Sequence, residues 1–157
     1  IADYLNVGTS EEPEWVLMGV GFTTLDEEPG AQSETTKYVC NATSSSSVVS
    51  YETTFPLEAE HIASEEAIDA LWMVGRNHYT GAMAEFEYCR VELYNKAGAP
   101  EAANTYEARK FVVSCEVSEY SGENKQVLSG NLNAVGDPVL GTFNTQTLAF
   151  TEAGAAA

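Results

Sequence analysis

Glu85 and Glu87 stand two residues apart in residues 84–94, AEFEYCRVELY, and on an extended backbone that spacing puts both carboxylates on one face. Two carboxyl groups roughly 5 to 9 Å apart are the acid, base or nucleophile of glycoside hydrolysis. Paired acids on a strand are also the usual make-up of a solvated sheet face, and no substrate cleft can be outlined from the chain, so the pair does not define an enzyme. His61 and His78 flank a helical segment without the HExxH spacing or a second cluster of ligands, and read as boundary residues. The acidic turn at Asp26, Glu27 and Glu28 lacks the alternating oxygens of a dedicated calcium loop. Gly19-Val20-Gly21 has neither the third glycine nor the following helix of a dinucleotide site, and no P-loop or GxSxG elbow occurs. The residues therefore predict no catalytic centre, metal or cofactor.

Cys40, Cys89 and Cys115 are odd in number and have no CxxC spacing, which points to buried free thiols instead of a disulfide framework or zinc site. The 157 residues carry 24 acids and 7 bases, a net charge of −17, with 14 of the acids and 2 of the bases in residues 1–80. Such a surface is self-repelling and argues against holding nucleic acid by neutralising its phosphates. No apolar run of about 18 residues is present to span a membrane. The first residues lack a basic-then-apolar secretory pattern, so the expected compartment is the cytosol of the cell that makes the protein. Asn41-Ala42-Thr43 matches a glycosylation triplet, a pattern that often arises by chance.

The elements that position these residues are mostly strands. Residues 84–94 have no Gly or Pro and are rich in strand-forming types, with turn residues following in NKAGAP. Their apolar rows change parity: Ala84, Phe86 and Tyr88 share one face, Val91 and Leu93 the other. A strand of period two does this only if a bulge intervenes or if each face has its own cover, and a bulge or subunit seam is expected between Tyr88 and Val91. Residues 15–22, WVLMGVGF, read as one strand, and residues 1–14 as an N-terminal arm. Residues 23–47 are a long polar connection, read as a projecting hairpin with a short strand at residues 35–40.

Residues 48–55 alternate as a half-buried strand. A helix is expected over residues 64–74, capped by Ser64, with Ile68, Leu71, Trp72 and Gly75 on one stripe and Gly75 as its end. Residues 105–118 and 126–135 are clear strands, residues 139–151 supply one or two more, and residues 152–157 form a loose tail. Many strands with one helix indicate a single β-sandwich or barrel domain over residues 15–151, with that helix on its flank.

Residues 19–32 (GVGFTTLDEEPGAQ), 74–93 (VGRNHYTGAMAEFEYCRVEL) and 128–147 (LSGNLNAVGDPVLGTFNTQT), with the SEEAIDAL helix and the ARKFVVSCEVS strand, resemble the tail tube (major tail) proteins of long-tailed bacteriophages of Gram-positive hosts. The resemblance runs in order along nearly the whole chain, though residues 40–43 and the serine run depart from the family pattern. It implies a β-sandwich with a flanking helix, six copies in a ring, and stacked rings whose inner sheets form a barrel through which genome DNA passes. The partners it implies are the chain itself, tape measure, tail terminator and distal tail proteins; DNA transits without specific binding, no membrane is involved, and the place is a virion tail assembled in the host bacterial cytoplasm.

On that reading the lumen-facing candidates are Glu85, Glu87 and Glu116, then Ser129, Asn131 and Asn133. Phe86, Tyr88, Val91 and Leu93 are inter-subunit candidates. Inter-ring candidates are Glu11, Glu12, Asp26, Glu27, Glu28, Lys37 and Tyr38, on the two projecting segments. The rival class is a secreted or surface β-sandwich of adhesin or pilin type, which a signal peptide or a glycan on Asn41 would favour; an acidic hydrolase using Glu85 and Glu87 is the remote third.

Overall fold

A computed structural model describes residues 1–97 and 103–154. In chain order the elements are β1 (Ala2–Asn6), β2 (Trp15–Leu17), β3 (Phe22–Leu25), β4 (Ala31–Thr36), β5 (Ser45–Tyr51), β6 (Thr54–Glu60), helix α1 (Glu66–Arg76), a 3-10 turn (Gly81–Ala84), β7 (Glu85–Lys96), β8 (Thr105–Ser121), β9 (Val127–Ala134), β10 (Val139–Asn144) and β11 (Ala149–Glu152). The fold is mostly β, sandwich-like, with one large antiparallel sheet and a single flanking helix. Part of the expected turn after β7 and the end of the expected tail fall at residues 98–102 and 155–157, outside the described residues.

The sheet path runs β2-β1-β7-β8-β9-β6-β3. Its two ends are consecutive in the chain, separated by residues 18–21 alone. Seven strands laid flat would put the edges about 29 Å apart, whereas that link reaches about 17 Å at most, so the sheet must curl round. The curl encloses a core to which Leu5, Tyr88, Phe111, Leu132 and Phe55 each contribute from a different strand, with Leu71 and Val74 of α1 closing it. The rings of Phe55 on β6 and Tyr88 on β7, three strands apart in the path, lie 4.7 Å centroid to centroid.

A second cluster sits on the opposite face. Tyr4, Trp15, Cys89, Val91 and Ala108 pack with Phe143, whose ring lies 4.5 Å from Tyr4 and 5.9 Å edge-on to Trp15. The covering strand is β10, which pairs with β8 over residues 105–110 while β9 pairs with it from residue 113 onward. This explains the change of parity in residues 84–94. Tyr88 faces the first core, Cys89 and Val91 face the second, and all three are completely buried.

The bulge or seam expected between Tyr88 and Val91 is absent: β7 pairs with β8 in unbroken register from Glu85 to Val91 and shifts only beyond it, and its pairing with β1 is also continuous. Both faces of the strand are covered by the chain itself. Leu93 lies beyond this cover and is exposed.

Several other expectations need correction. Residues 1–14 are not a free arm, because β1 lies inside the sheet between β2 and β7, and it is Ile1 and the turn after β1 that are exposed. Residues 15–22 are two strands, broken at Gly21, whose φ of +88° suits glycine and whose missing Cβ leaves room for Ile68 of α1. Residues 48–55 likewise divide between β5 and β6. The projecting hairpin is found, but as residues 31–51: β3 belongs to the main sheet, β4 ends at Thr36, and the serine run begins β5.

Helix α1 starts at Glu66 without a side-chain cap from Ser64, and Gly75 does not end it. Gly75 is a contact point instead. A Cβ there would overlap the Tyr120 hydroxyl and lie 2.9 Å from Val117 Cβ, and Tyr120 donates a 2.7 Å hydrogen bond to the Trp72 carbonyl beside it.

Candidate functional site

Two features stand apart from the core: a polar sheet face and the root of the hairpin. The polar face follows from alternation. Phe111, Val113 and Cys115 of β8 turn inward, as do Leu128 and Leu132 of β9, so the intervening residues turn outward. Register then lines them up. Glu85 is opposite Ser114, which is opposite Asn133, which is opposite Thr54; Glu116 is opposite Asn131, then Pro56. Ser129 lies between Glu119 and Glu58.

Glu85, Glu87, Glu116, Ser129, Asn131 and Asn133, named from sequence, therefore share one face of β7, β8 and β9. Asn133 Nδ2 donates to Glu116 Oε2 at 2.9 Å, and Glu87 accepts from Asn6 Nδ2 at 2.9 Å with Lys110 Nζ at 3.7 Å. Glu58 and Glu119 join the face and were missed. Glu58 was legible, since it alternates with buried Phe55, Leu57 and Ala59; Glu119 was not, because a register shift between Val117 and Glu119 resets its side.

The inter-subunit candidates behave differently. Tyr88 and Val91 are enclosed by their own chain and offer no surface to a neighbour; Phe86 is half-buried against the first core, and only Leu93 is exposed. Of the inter-ring candidates, Glu11 and Glu12 lie on the exposed turn after β1, Asp26 and Glu28 are exposed beside the hairpin root, and Lys37 and Tyr38 are exposed just beyond β4. Glu27 is committed within its own chain.

That commitment forms the second feature. Arg109 of β8 donates to both carboxylate oxygens of Glu27 at 2.7 Å each, and Arg90 Nε lies 3.8 Å away. Arg90 also approaches Asp3, 3.5 Å away, and donates to the Tyr88 hydroxyl, which itself donates to Asp3. Glu92 stands 3.8 Å from Arg109. The Arg109 hydrogen bonds hold the Glu27 carboxyl below its ordinary pKa and raise that of Arg109. Burial pushes Asp3 up, with the Tyr88 hydroxyl and Arg90 opposing.

Above this network lies the hairpin root, where Glu28 and Thr54 exchange backbone hydrogen bonds of 2.8 and 2.9 Å and Glu52 N donates to Gly30 O. A cleft of about 390 Å³ separates the root from the loop after β9, bounded by Pro29, Tyr51 and Thr53 on one side and by Gly136, Asp137 and Pro138 on the other.

Glu85 and Glu87 share a face, but Glu87 is held by Asn6 and Lys110. His61 stacks on Trp72 at 4.1 Å and His78 is exposed past the helix end. Cys89 and Cys115 are buried free thiols, as expected; Cys40 is exposed. Among the described residues no group of three His, Cys, Asp or Glu side chains is arranged for a metal ion, and no helix is long and apolar enough to cross a membrane. No protein-family model matches the chain, and a search of curated proteins returns no match.

Proposed function

We propose that this chain is a structural subunit of a phage tail tube, six copies forming a ring and rings stacking into a conduit whose wall is the polar face of β7, β8 and β9. The observation that carries the reading is that face: Glu58, Glu85, Glu87, Glu116 and Glu119 gathered with Ser129, Asn131 and Asn133 on one side of a sheet whose other side is core. A conduit for DNA must not retain phosphates, and an acidic, hydrogen-bonding wall repels them where a basic one would bind them through counterion release. The resemblance to tail tube proteins read in the sequence points the same way.

The hairpin supports it from another side. Between residues 31 and 51 one acid and one base, Glu34 and Lys37, leave a neutral segment in a chain of net charge −17. Both its strands are exposed throughout, with Val48, Val49 and Tyr51 more than half accessible. This is the part of the molecule that can approach another acidic copy without repulsion, and a two-stranded ribbon burying nothing gains order by packing on one. Partners are then the chain itself and the proteins that set the tail's length and close its ends, with assembly in the host cytoplasm and a place in the virion tail.

Electron microscopy of concentrated protein tests the reading. Stacked rings with a central hole are the expected outcome, and a monomer persisting at every concentration and salt condition overturns it. Asn41 lies in the exposed turn between β4 and β5, the observation that favours a surface adhesin; a glycan found there by intact mass would move the conclusion to that class.

A further inference from the structure

We infer that the β4–β5 hairpin is a hinged arm whose angle to the body is set by an ionic latch, Glu27 against Arg109 and Arg90, placed at its root. The hairpin forms a sheet of its own with no ladder to the main sheet, so its direction is fixed only where it joins the body. At that junction the backbone contacts are a short run continuing from the β3–β6 pair: Asp26 N donating to Pro56 O, the Glu28–Thr54 bridge and the Glu52 to Gly30 hydrogen bond, with Ala134 N donating to Thr53 O beside them. Glu27 is the residue immediately before the bridge. Its bidentate bond to Arg109 ties the outgoing leg of the hairpin to β8 in a fixed plane, as a fork-to-fork pair does and a single contact does not.

The cleft of about 390 Å³ gives the root somewhere to move. It separates Pro29 and Thr53, at the two legs, from Asp137 and Pro138, and interiors are otherwise filled to near close packing. Releasing Glu27 leaves the legs held by those backbone bonds alone, with the cleft on the side of Asp137 and Pro138 as the space into which they can tilt.

The charges around Glu27 make the latch sensitive to acid. It faces Arg109 from β8, Arg90 from β7 and, more distantly, Asp3 from β1; Glu92 competes for Arg109, while Glu28 and Asp137 border the root. Glu27 keeps its charge below the ordinary carboxylate pKa of 4.5, so the latch is closed at neutral pH and opens only under stronger acid.

The test uses dilute full-length protein, and because one chain suffices its outcome is independent of tube formation. A spin label on the native exposed thiol of Cys40 and another at Asp69→Cys on α1 report the arm's angle, while amide exchange at Glu28 and Thr54 reports the root. In Glu27→Gln the distance distribution should broaden roughly twofold and root exchange, at Ala134 as well as Glu28 and Thr54, should rise about tenfold, with the other amides of β8 and β9 unchanged. Arg109→Lys, which keeps the charge but loses the fork, should fall between. As pH falls through the lowered pKa of Glu27 the parent should approach Glu27→Gln, while that variant changes less. The inference is overturned by a distribution that Glu27→Gln leaves unaltered, by one equally broad in parent and variants, or by root and core amides accelerating together.

Discussion

Gly75 offers a prediction in which two effects of known size oppose each other. It lies inside α1 and has an ordinary negative φ, so exchange for alanine improves helix propensity by about 0.8–1.0 kcal/mol. Against this, the added Cβ overlaps the Tyr120 hydroxyl and comes within 2.9 Å of Val117 Cβ. Overpacking of this kind costs about 1–3 kcal/mol, and displacing Tyr120 sacrifices its hydrogen bond to the Trp72 carbonyl, about 0.5–1.5 kcal/mol more.

The net expectation for Gly75→Ala is a loss of about 0.5–3.7 kcal/mol, read as a lower urea midpoint with an unchanged slope. Tyr120→Phe removes both the hydroxyl and the nearest overlap, so in that background the alanine should cost about 1 kcal/mol less. Full recovery is not expected, since Val117 remains in the way. A Gly75→Ala protein more stable than its parent by about 1 kcal/mol, the bare propensity result, would show that α1 does not approach β8 as described.

Other consequences follow from the two clusters and the latch. Phe143→Ala should destabilise by about 3–5 kcal/mol in chemical unfolding, as much as Phe55→Ala, since both rings are wholly buried on opposite faces of the sheet; a loss under 1 kcal/mol would deny the second cluster. Of the three thiols only Cys40 should react with an aromatic disulfide at pH 8, because burial pushes Cys89 and Cys115 up to about 12; both should react once the chain is unfolded. Glu27 has its pKa lowered on folding, so its contribution to stability is fully present above 4.5 and is lost as pH falls through the lower folded value. The stability difference between parent and Glu27→Gln, about 1–3 kcal/mol from its charge-assisted bonds, should hold from pH 7 to pH 5 and shrink in stronger acid, as measured by urea unfolding.

Strong periodicity made β8, β9 and α1 readable, because each buries one main row against the first core, with Ala108 at the start of β8 the exception. Segments whose partners are remote in sequence were not. β1 looks too polar for a core strand, yet Asp3 and Asn6 are buried within it. The Tyr88 hydroxyl and Arg90 satisfy Asp3; Glu87 accepts from Asn6, whose Oδ1 accepts from the backbone N–H groups of Gly8 and Glu14 at 2.9 and 2.8 Å.

The parity switch in β7 was visible in sequence, and double cover was one of its two possible causes. That the cover is Phe143 and Trp15 of the same chain depends on β10 pairing with the first part of β8 and β2 with β1, which no local pattern reveals. The polar face was legible for the same reason as β8 and β9, as the outward half of their alternation. The latch was not, since the DEEPG turn shows its acids but gives no sign that Arg109, 82 positions away, takes both oxygens of Glu27.

The proposed conduit is tested most directly by a helical reconstruction of the assembled protein at side-chain resolution. Glu85, Glu116 and the row Ser129, Asn131 and Asn133 should point toward the axis of a six-fold ring, with α1 on the outer side of the wall. A ring whose axis is lined by other residues, with those acids on its outer surface or buried between subunits, would contradict it.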